Sequence, residues 1–228
     1  MSDLPLLDGV GCVIVAAGQG TRLAAGRPKA FVELAGTTLL EHAVSRVLDA
    51  GVHHVVAVVP AALVTSTQEL LAGRADVVAG GAERQDSVAL GLRALPDGVD
   101  VVLVHDAARC LAPPSLVAAV VRAVQAGQAA VVPGLAVVDT LKEVDAQGTV
   151  VGTVAREPLR AVQTPQGFDR AVLQRAHAAA DAAATDDAAL VERLGEPVTV
   201  VAGDPMAFKI TSPDDLALAE FWLARVEP

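Results

Sequence analysis

The chain has 228 residues, 53% of them hydrophobic, 19% charged and 2% aromatic, with no tyrosine. That length suits one substantial α/β domain and is short for two ordinary ones, and the apolar fraction excludes a disordered chain. A formal net charge of −10 and a pI near 4.8 exclude an extended nucleic-acid surface, which needs a basic face, but leave room for a local basic pocket around a small phosphorylated substrate.

The first residues, Met1-Ser2-Asp3-Leu4-Pro5, carry no basic run, so no signal peptide is expected there. The most apolar stretches are broken by Pro60, Arg122 or Pro133 before they reach membrane-spanning length. The expectation is a cytoplasmic protein that engages neither membrane nor nucleic acid. Cys12 and Cys110 stand far apart, without a CxxC or Cys/His spacing, and read as small buried hydrophobes.

Five Val-rich runs read as strands, at 11–16, 55–59, 77–79, 101–105 and 129–133. Amphipathic stretches at 39–50, 61–71, 87–95 and 114–126 separate them and read as helices. Strand and helix in alternation give an α/β fold, a mostly parallel sheet with helices on both faces, whose ligands bind where the strand C-termini gather. From 136 to 155 the pattern changes to a hairpin around Asp145-Ala146-Gln147-Gly148, with one apolar face. Such a hairpin either reaches a partner surface or packs on its own domain as an edge. The α/β rhythm resumes at 161–164, with a helix from 169 to about 182 and another capped by Thr185 and ending near Gly195. A strand at 198–201 follows, and Ser212-Pro213-Asp214-Asp215 opens the last helix with a cap, a first-turn proline and two acids. No internal repeat or linker divides 1–228, which reads as a single domain.

The first strand runs into Ala16-Ala17-Gly18-Gln19-Gly20-Thr21-Arg22, followed by Pro28-Lys29. Small residues let backbone N–H groups approach phosphate oxygens. The segment fits neither a Walker loop nor the dinucleotide fingerprint, which would need Gly at Leu23. What remains is a glycine loop with two cations, Arg22 and Lys29, as a triphosphate requires; a structural turn with solvated charges is the bland alternative. Downstream, Gly80-Gly81-Ala82-Glu83-Arg84-Gln85-Asp86-Ser87 follows a strand and opens a helix. Asp106 ends a buried-type strand and is a candidate Mg²⁺ ligand, or else a helix cap or the partner of Arg109. His105 reads as a packed or hydrogen-bonded residue rather than a catalyst. No Ser/His/Asp or Cys/His set is evident.

In order along the chain, these blocks resemble the 2-C-methyl-D-erythritol 4-phosphate cytidylyltransferases. The resemblance takes in AAGQGTR with PK, GGAERQDSV, VHDAAR, Asp139-Thr140-Leu141-Lys142, Arg156 ahead of Gln163-Thr164-Pro165-Gln166, Thr185-Asp186-Asp187-Ala188, and Lys209 ahead of Ser212-Pro213. It implies a Rossmann-like nucleotidyltransferase fold, CTP and methylerythritol phosphate as substrates, Mg²⁺ as cofactor, and a homodimer in which 136–157 reaches over the partner. By the same resemblance, Arg22, Lys29 and Lys209 would act on the reacting phosphates. Ala16, Ala17, Gly18, Gly20, Gly81, Ala82, Arg84 and Ser87 would bind CTP. Asp106 and Arg109 would lie near the join of the two substrates, and Thr140 and Arg156 would come from the partner's arm to hold the acceptor, with Arg156 counted among the catalytic residues.

Three positions depart from the family pattern: Cys110 for a common Pro, Arg160 for a frequent Trp, and Ala207 for a frequent Asn. None removes a charged group that the resemblance carries over. The ribitol 5-phosphate cytidylyltransferases resemble this family in the CTP half and differ in the acceptor site. Thr140, Arg156 and the Gln163–Gln166 block favour the methylerythritol acceptor. A non-catalytic nucleotide-binding domain would be expected to have lost the cations, and Arg22, Lys29 and Lys209 are all present.

Overall fold

A computed structural model describes residues 7–18, 28–182 and 184–226 of the chain. Its first strand is β1 (Val10–Val15), followed by the small hairpin β2 (Glu33–Leu34) and β3 (Thr37–Thr38). Thr38 then caps α1 (Leu39–Asp49) through a reciprocal box with Glu41. Strand β4 (His54–Val59) leads through a short 3₁₀ turn, Ala61–Leu63, into α2 (Val64–Leu71). Next come β5 (Asp76–Ala79), α3 (Arg84–Ala94), β6 (Val101–Asp106), α4 (Pro114–Gln125) and β7 (Ala130–Ala136). The arm hairpin is β8 (Leu141–Val144) with β9 (Val150–Val154), and β10 (Arg160–Val162) and β11 (Gln166–Asp169) return to the sheet. Helices α5 (Arg170–Ala178) and α6 (Asp187–Arg193), strand β12 (Val198–Ala202) and α7 (Pro213–Val226) complete the order.

The main sheet runs β5-β4-β1-β6-β11-β7, with β10 and β12 also paired to β7. β5, β4, β1 and β6 are parallel, and β11 and β10 are antiparallel to their neighbours. β7 therefore points the same way as β6, and β12 is parallel to β7. The C-terminal ends of β1, β4, β5, β6, β7 and β12 thus share one edge. Successive β1 residues alternate between two apolar clusters. Cys12 and Ile14 join the cluster that includes α1 and α4, whereas Val13 packs with residues of α3, α5 and α6. Helix α3 lies tight on the sheet because Gly91 has no side chain; a Cβ there would stand 2.4 Å from Val13 Cγ1.

Several sequence expectations change in detail. The stretch 61–71 divides into a 3₁₀ turn and α2, since Pro60 sets an extended entry and Leu63 does not continue the α-helix. Helix α3 starts three residues before 87, which puts Arg84 in its first turn. The 161–164 strand becomes β10, and a separate strand, β11, was missed. Four residues bracketed by polar side chains lack a readable alternation, and only pairing with β6 and β7 makes them a strand. Helix α5 ends at Ala178, and α6 is capped by Asp186, whose carboxylate accepts from Ala189 N–H, rather than by Thr185. The arm does not pack as an edge of the main sheet: β8 and β9 form their own two-stranded sheet, and Val144, Val150 and Val151 are each more than half exposed.

Both cysteines are free and buried, as the sequence suggests. Burial holds the Cys12 thiol far above its ordinary pKa and pushes Cys110 up to about 12, so both stay protonated.

Helix α7 opens as expected. Asp215 N–H donates to Ser212 Oγ (3.2 Å), and the Asp215 carboxylate accepts from Ser212 N–H (2.8 Å) and from the Thr211 hydroxyl (2.6 Å). The Thr211 bond and its neighbours hold the Asp215 pKa at about 2. A depressed pKa stabilises the fold wherever the carboxylate is ionised in the unfolded chain, and that contribution disappears as pH falls through the folded value. Asp215→Ala should therefore lower the melting temperature by roughly 2–4 °C at neutral pH, the effect of ~1 kcal/mol in a protein of this size. Calorimetry at decreasing pH should show the gap to the unsubstituted protein closing toward pH 2.

Candidate active site

Four strand ends deliver the site. β1 ends in Ala16-Ala17-Gly18, tied to β4 by Ala16 N–H donating to the Val58 carbonyl at 2.8 Å. β5 ends in Gly80-Gly81, β6 ends in Asp106, and the chain after β12 reaches Lys209 by way of a 3₁₀ turn, Pro205–Ala207. Between them lies a cleft of about 280 Å³, lined by Ala16, Ala17, Gly18, Lys29, Gly81, Ala82, Arg84, Ser87, Asp106 and Lys209. Every described residue proposed from the sequence for CTP lies on this one cleft, as do Lys29 and Lys209, the two lysines proposed for the reacting phosphates. Gly20 and Arg22 fall outside the described residues.

Ser87 shapes the β5–α3 loop. Its hydroxyl accepts from Gly81 N–H and donates to the Glu83 carbonyl, both at 3.1 Å, and its side chain is buried. Gly80 is required by close approach, since a Cβ there would sit 2.6 Å from Ala17 Cβ and 2.9 Å from Ser87 Oγ. At Gly18, which lines the cleft, an added Cβ would meet no described atom within 4 Å. Gly80→Ala should push the two loops apart and raise the nucleotide KM roughly tenfold, while thermal stability falls by ~1–3 kcal/mol, the usual range for overpacking. Steady-state kinetics with denaturant titration check both effects.

Alternating charges cross the cleft. The Asp106 carboxylate accepts from Lys209 Nζ at 2.7 Å and lies 3.6 Å from the Arg84 guanidinium, which donates in turn to Asp187 at 2.6 Å. Burial opposes the charge on Asp106, but Lys209 and then Arg84 outweigh it, holding its pKa below the usual carboxylate range. Burial likewise opposes the Arg84 charge, and Asp187 and Asp106 outweigh that, so Arg84 stays cationic. The ion-pair partners of Asp106 are therefore Lys209 and Arg84 rather than Arg109.

Arg109 lies outside the cleft lining. Its two terminal nitrogens donate to the carbonyls of Ala207 (2.8 Å) and Val162 (3.3 Å), so it bridges the loop before Lys209 to β10. Ala207 is wholly buried there, and Cys110 is buried in the core. Arg160 is exposed, its guanidinium donating to the carbonyls of Glu157 and Leu159. Thr140 and Arg156 sit on the exposed arm, where Arg156 donates to the Val138 carbonyl. Neither reaches the cleft of its own chain.

Sequence reasoning missed the work of the Gln163–Gln166 block. Gln163 holds the loop that leads to Lys209, donating to the Asp204 carbonyl at 2.8 Å and accepting from Asp204 N–H at 2.9 Å. Thr164 Oγ1 accepts from Asp106 N–H (3.0 Å) and shares a hydrogen bond with His105 Nδ1 (2.9 Å). Burial pushes the His105 pKa down to about 4, leaving it neutral near pH 7 and clear of the cleft, as a hydrogen-bonded residue. Two glutamines around a Thr-Pro pair in the sequence would have been the signal, but nothing local says what they bind. Glu83, Ala107 and Ala108 also line the cleft and were not singled out.

Among the described residues no cluster of three or more His, Cys, Asp or Glu could hold a metal by itself. Mg²⁺ bound with a triphosphate takes only one or two carboxylates, the rest of its shell being phosphate and water. An ionised Asp106 facing a cleft with cationic neighbours fits that donor set. No described helix is long and apolar enough to cross a membrane.

A mostly parallel sheet whose strand ends carry backbone loops and lysines around one cleft defines a nucleotidyltransferase-like α/β protein. The model of the family described as IspD, 2-C-methyl-D-erythritol 4-phosphate cytidylyltransferase, matches residues 10–225, and the chain belongs to that family. It is 58% identical over 218 residues to the protein of that name from Rhodococcus jostii, covering 94% of this chain and 96% of the relative. The counterpart from Nocardia farcinica is 54% identical over 228 residues, 99% and 98% of the two chains. Among solved structures, the cytidylyltransferase of that name from Thermus thermophilus superposes with a TM-score of 0.77 at 40% identity, covering 94% of this chain and 98% of that one.

Proposed function

We propose that this enzyme transfers the cytidylyl group of CTP to 2-C-methyl-D-erythritol 4-phosphate in isoprenoid precursor synthesis, giving 4-diphosphocytidyl-2-C-methyl-D-erythritol and pyrophosphate. The observation that carries this reading is the convergence of Ala16-Ala17-Gly18, Lys29, the Gly81–Ser87 loop, Asp106 and Lys209 on one cleft. An oxygen of the acceptor phosphate attacks the α-phosphorus of CTP. The new P–O bond forms as the bond to the β-phosphate bridging oxygen breaks, and pyrophosphate leaves with that electron pair. The attacking monoester is mostly dianionic near neutral pH, its second pKa being about 6, so no general base is needed.

What the chain supplies is charge and alignment. Lys29, Lys209 and, from the first loop, Arg22 stabilise the charge that gathers on the phosphates. The loops at Ala16–Gly18 and Gly81–Ser87, with Gly20, hold the nucleotide. Asp106 would hold Mg²⁺, which when bound neutralises triphosphate charge. Asp106 and Arg109 sit toward the acceptor side, Arg109 by fixing the loop before Lys209. We place the enzyme in the cytoplasm as a homodimer, with Thr140 and Arg156 of the partner's arm holding the acceptor phosphate. The exposed valines of the arm support this assembly.

Assaying the purified protein with CTP and Mg²⁺ against methylerythritol phosphate and ribitol 5-phosphate, by pyrophosphate release, tests the reading. Turnover is expected with the first acceptor. Turnover with ribitol phosphate alone would replace the acceptor, and release with neither would end the proposal.

A further inference from the structure

Asp187 and Gln166 take no part in the chemistry above, yet both are almost wholly buried and both are fully engaged. Asp187 is 1% exposed. One of its carboxylate oxygens accepts from Arg84 Nη1 at 2.6 Å, and the other lies 3.0 Å from His177 Nε2. A buried carboxylate is costly unless paired and hydrogen-bonded, and this one is matched on both oxygens. Arg84 is different: its side chain is 30% exposed, faces the cleft, and meets Asp106 on its other side. A long, flexible arginine held by one rigid buried acid keeps a single orientation, so its remaining donors are directed before any ligand arrives.

Gln166 in turn fixes Asp187. Its amide nitrogen donates to Asp186 at 2.8 Å, and its amide oxygen accepts from Ala188 N–H at 3.3 Å. The two bonds bracket Asp187 at the start of α6. Since β11, which carries Gln166, is hydrogen-bonded to β6, which ends in Asp106, the brace is registered to the sheet edge that bears the cleft.

We infer that Asp187 is a positioning residue for nucleotide binding, holding the Arg84 guanidinium at the cleft, and that Gln166 locks Asp187 in place through both ends of its amide. The inference rests on the cytidylyl-transfer reading and adds to it a role for the Thr185–Ala188 and Gln163–Gln166 blocks.

The test is a double-mutant cycle of Arg84→Gln and Asp187→Asn, read as KM for CTP, KM for the acceptor, kcat and calorimetric CTP affinity. Asp187→Asn should weaken CTP roughly ten- to hundredfold, the loss expected of a charged hydrogen bond, with a much smaller change in the acceptor KM. In the Arg84→Gln background it should have little further effect on CTP, because its influence passes through Arg84. Asp187→Glu, which restores a carboxylate, should recover part of the affinity. Unchanged CTP binding in Asp187→Asn, or an effect that multiplies fully with Arg84→Gln, overturns the inference. If Asp187→Asn does not fold, His177→Gln is read in its place: a smaller shift in CTP affinity in the same direction supports the brace, and no shift overturns it. An unsubstituted protein that neither binds nor turns over CTP would instead remove the functional reading itself.

Discussion

Lys29→Ala should lower kcat by roughly a hundred- to a thousandfold, the cost of deleting one preorganised group that meets developing phosphate charge, while the fold survives. Lys29 opens a short 3₁₀ turn immediately after Pro28 and lines the cleft. Proline fixes the backbone ahead of the lysine, so the side chain is delivered from a stiff entry rather than a pliable loop. The turn itself is built from backbone, with Phe31 N–H donating to the Pro28 carbonyl at 2.9 Å, and does not depend on the ammonium group. A melting temperature within a few degrees of the parent, together with collapsed pyrophosphate release, is the expected pair of results. Undiminished release would remove Lys29 from the reaction.

Mixing Lys29→Ala with Arg156→Ala subunits should restore, at acceptor concentrations far below the KM of the Arg156→Ala variant, activity well above that of either alone. Arg156 lies on an exposed arm and does not reach the cleft of its own chain. If it serves the partner's cleft, each mixed dimer contains one intact site, with Lys29 from one chain and Arg156 from the other. With random pairing about a quarter of all sites would then be intact. Arg156→Ala on its own should raise the acceptor KM roughly a hundredfold while leaving CTP affinity near normal, because it removes a charge-assisted phosphate contact. Co-refolding at equal amounts and assaying with both substrates reads the result. No recovery above the two single variants would show that the sites are not shared.

The α/β class was legible because buried parallel strands made of Val runs read the same in any context. The apolar stretches at β1, β4 and β6 were placed within a residue. Strand β11 was not legible: it has only four residues, and its pairing with β6 and β7 comes from chain segments 36 to 68 residues away, a separation no local pattern registers. Arg84 shows the same limit inside the site. Its place in a glycine-rich block marked it for the nucleotide, but the acid that orients it lies 103 residues further on, in a different element.

Asp106 was marked by its position at the end of a buried strand, yet its partners could not be read. Adjacent arginines suggest pairing, and Arg109 was a reasonable expectation three residues on. The 3₁₀ turn at Ala107–Arg109 instead carries that side chain toward the carbonyls of Ala207 and Val162. Lys209, 103 residues further along the chain, is delivered to Asp106 by the loop after β12. Turn geometry decided between the two cations.

What the sequence determined by itself was chemistry of short range: a glycine loop with Lys29 behind a proline, the Gly80–Gly81 turn, an acid at a strand end, and a Ser-Pro-Asp-Asp helix start. Each rests on steric and hydrogen-bonding rules that act within a few residues. Only the tertiary structure decided which of these meet. The parallel run of β5, β4, β1 and β6, with β12 parallel to β7, brings the ends of β1, β5, β6 and β12 to one edge, where Lys209, Asp106, Arg84 and Asp187 form an alternating chain of charge. Residues so far apart in sequence become neighbours because burying the two faces of the sheet fixes strand order and register, and with them the positions of the loops.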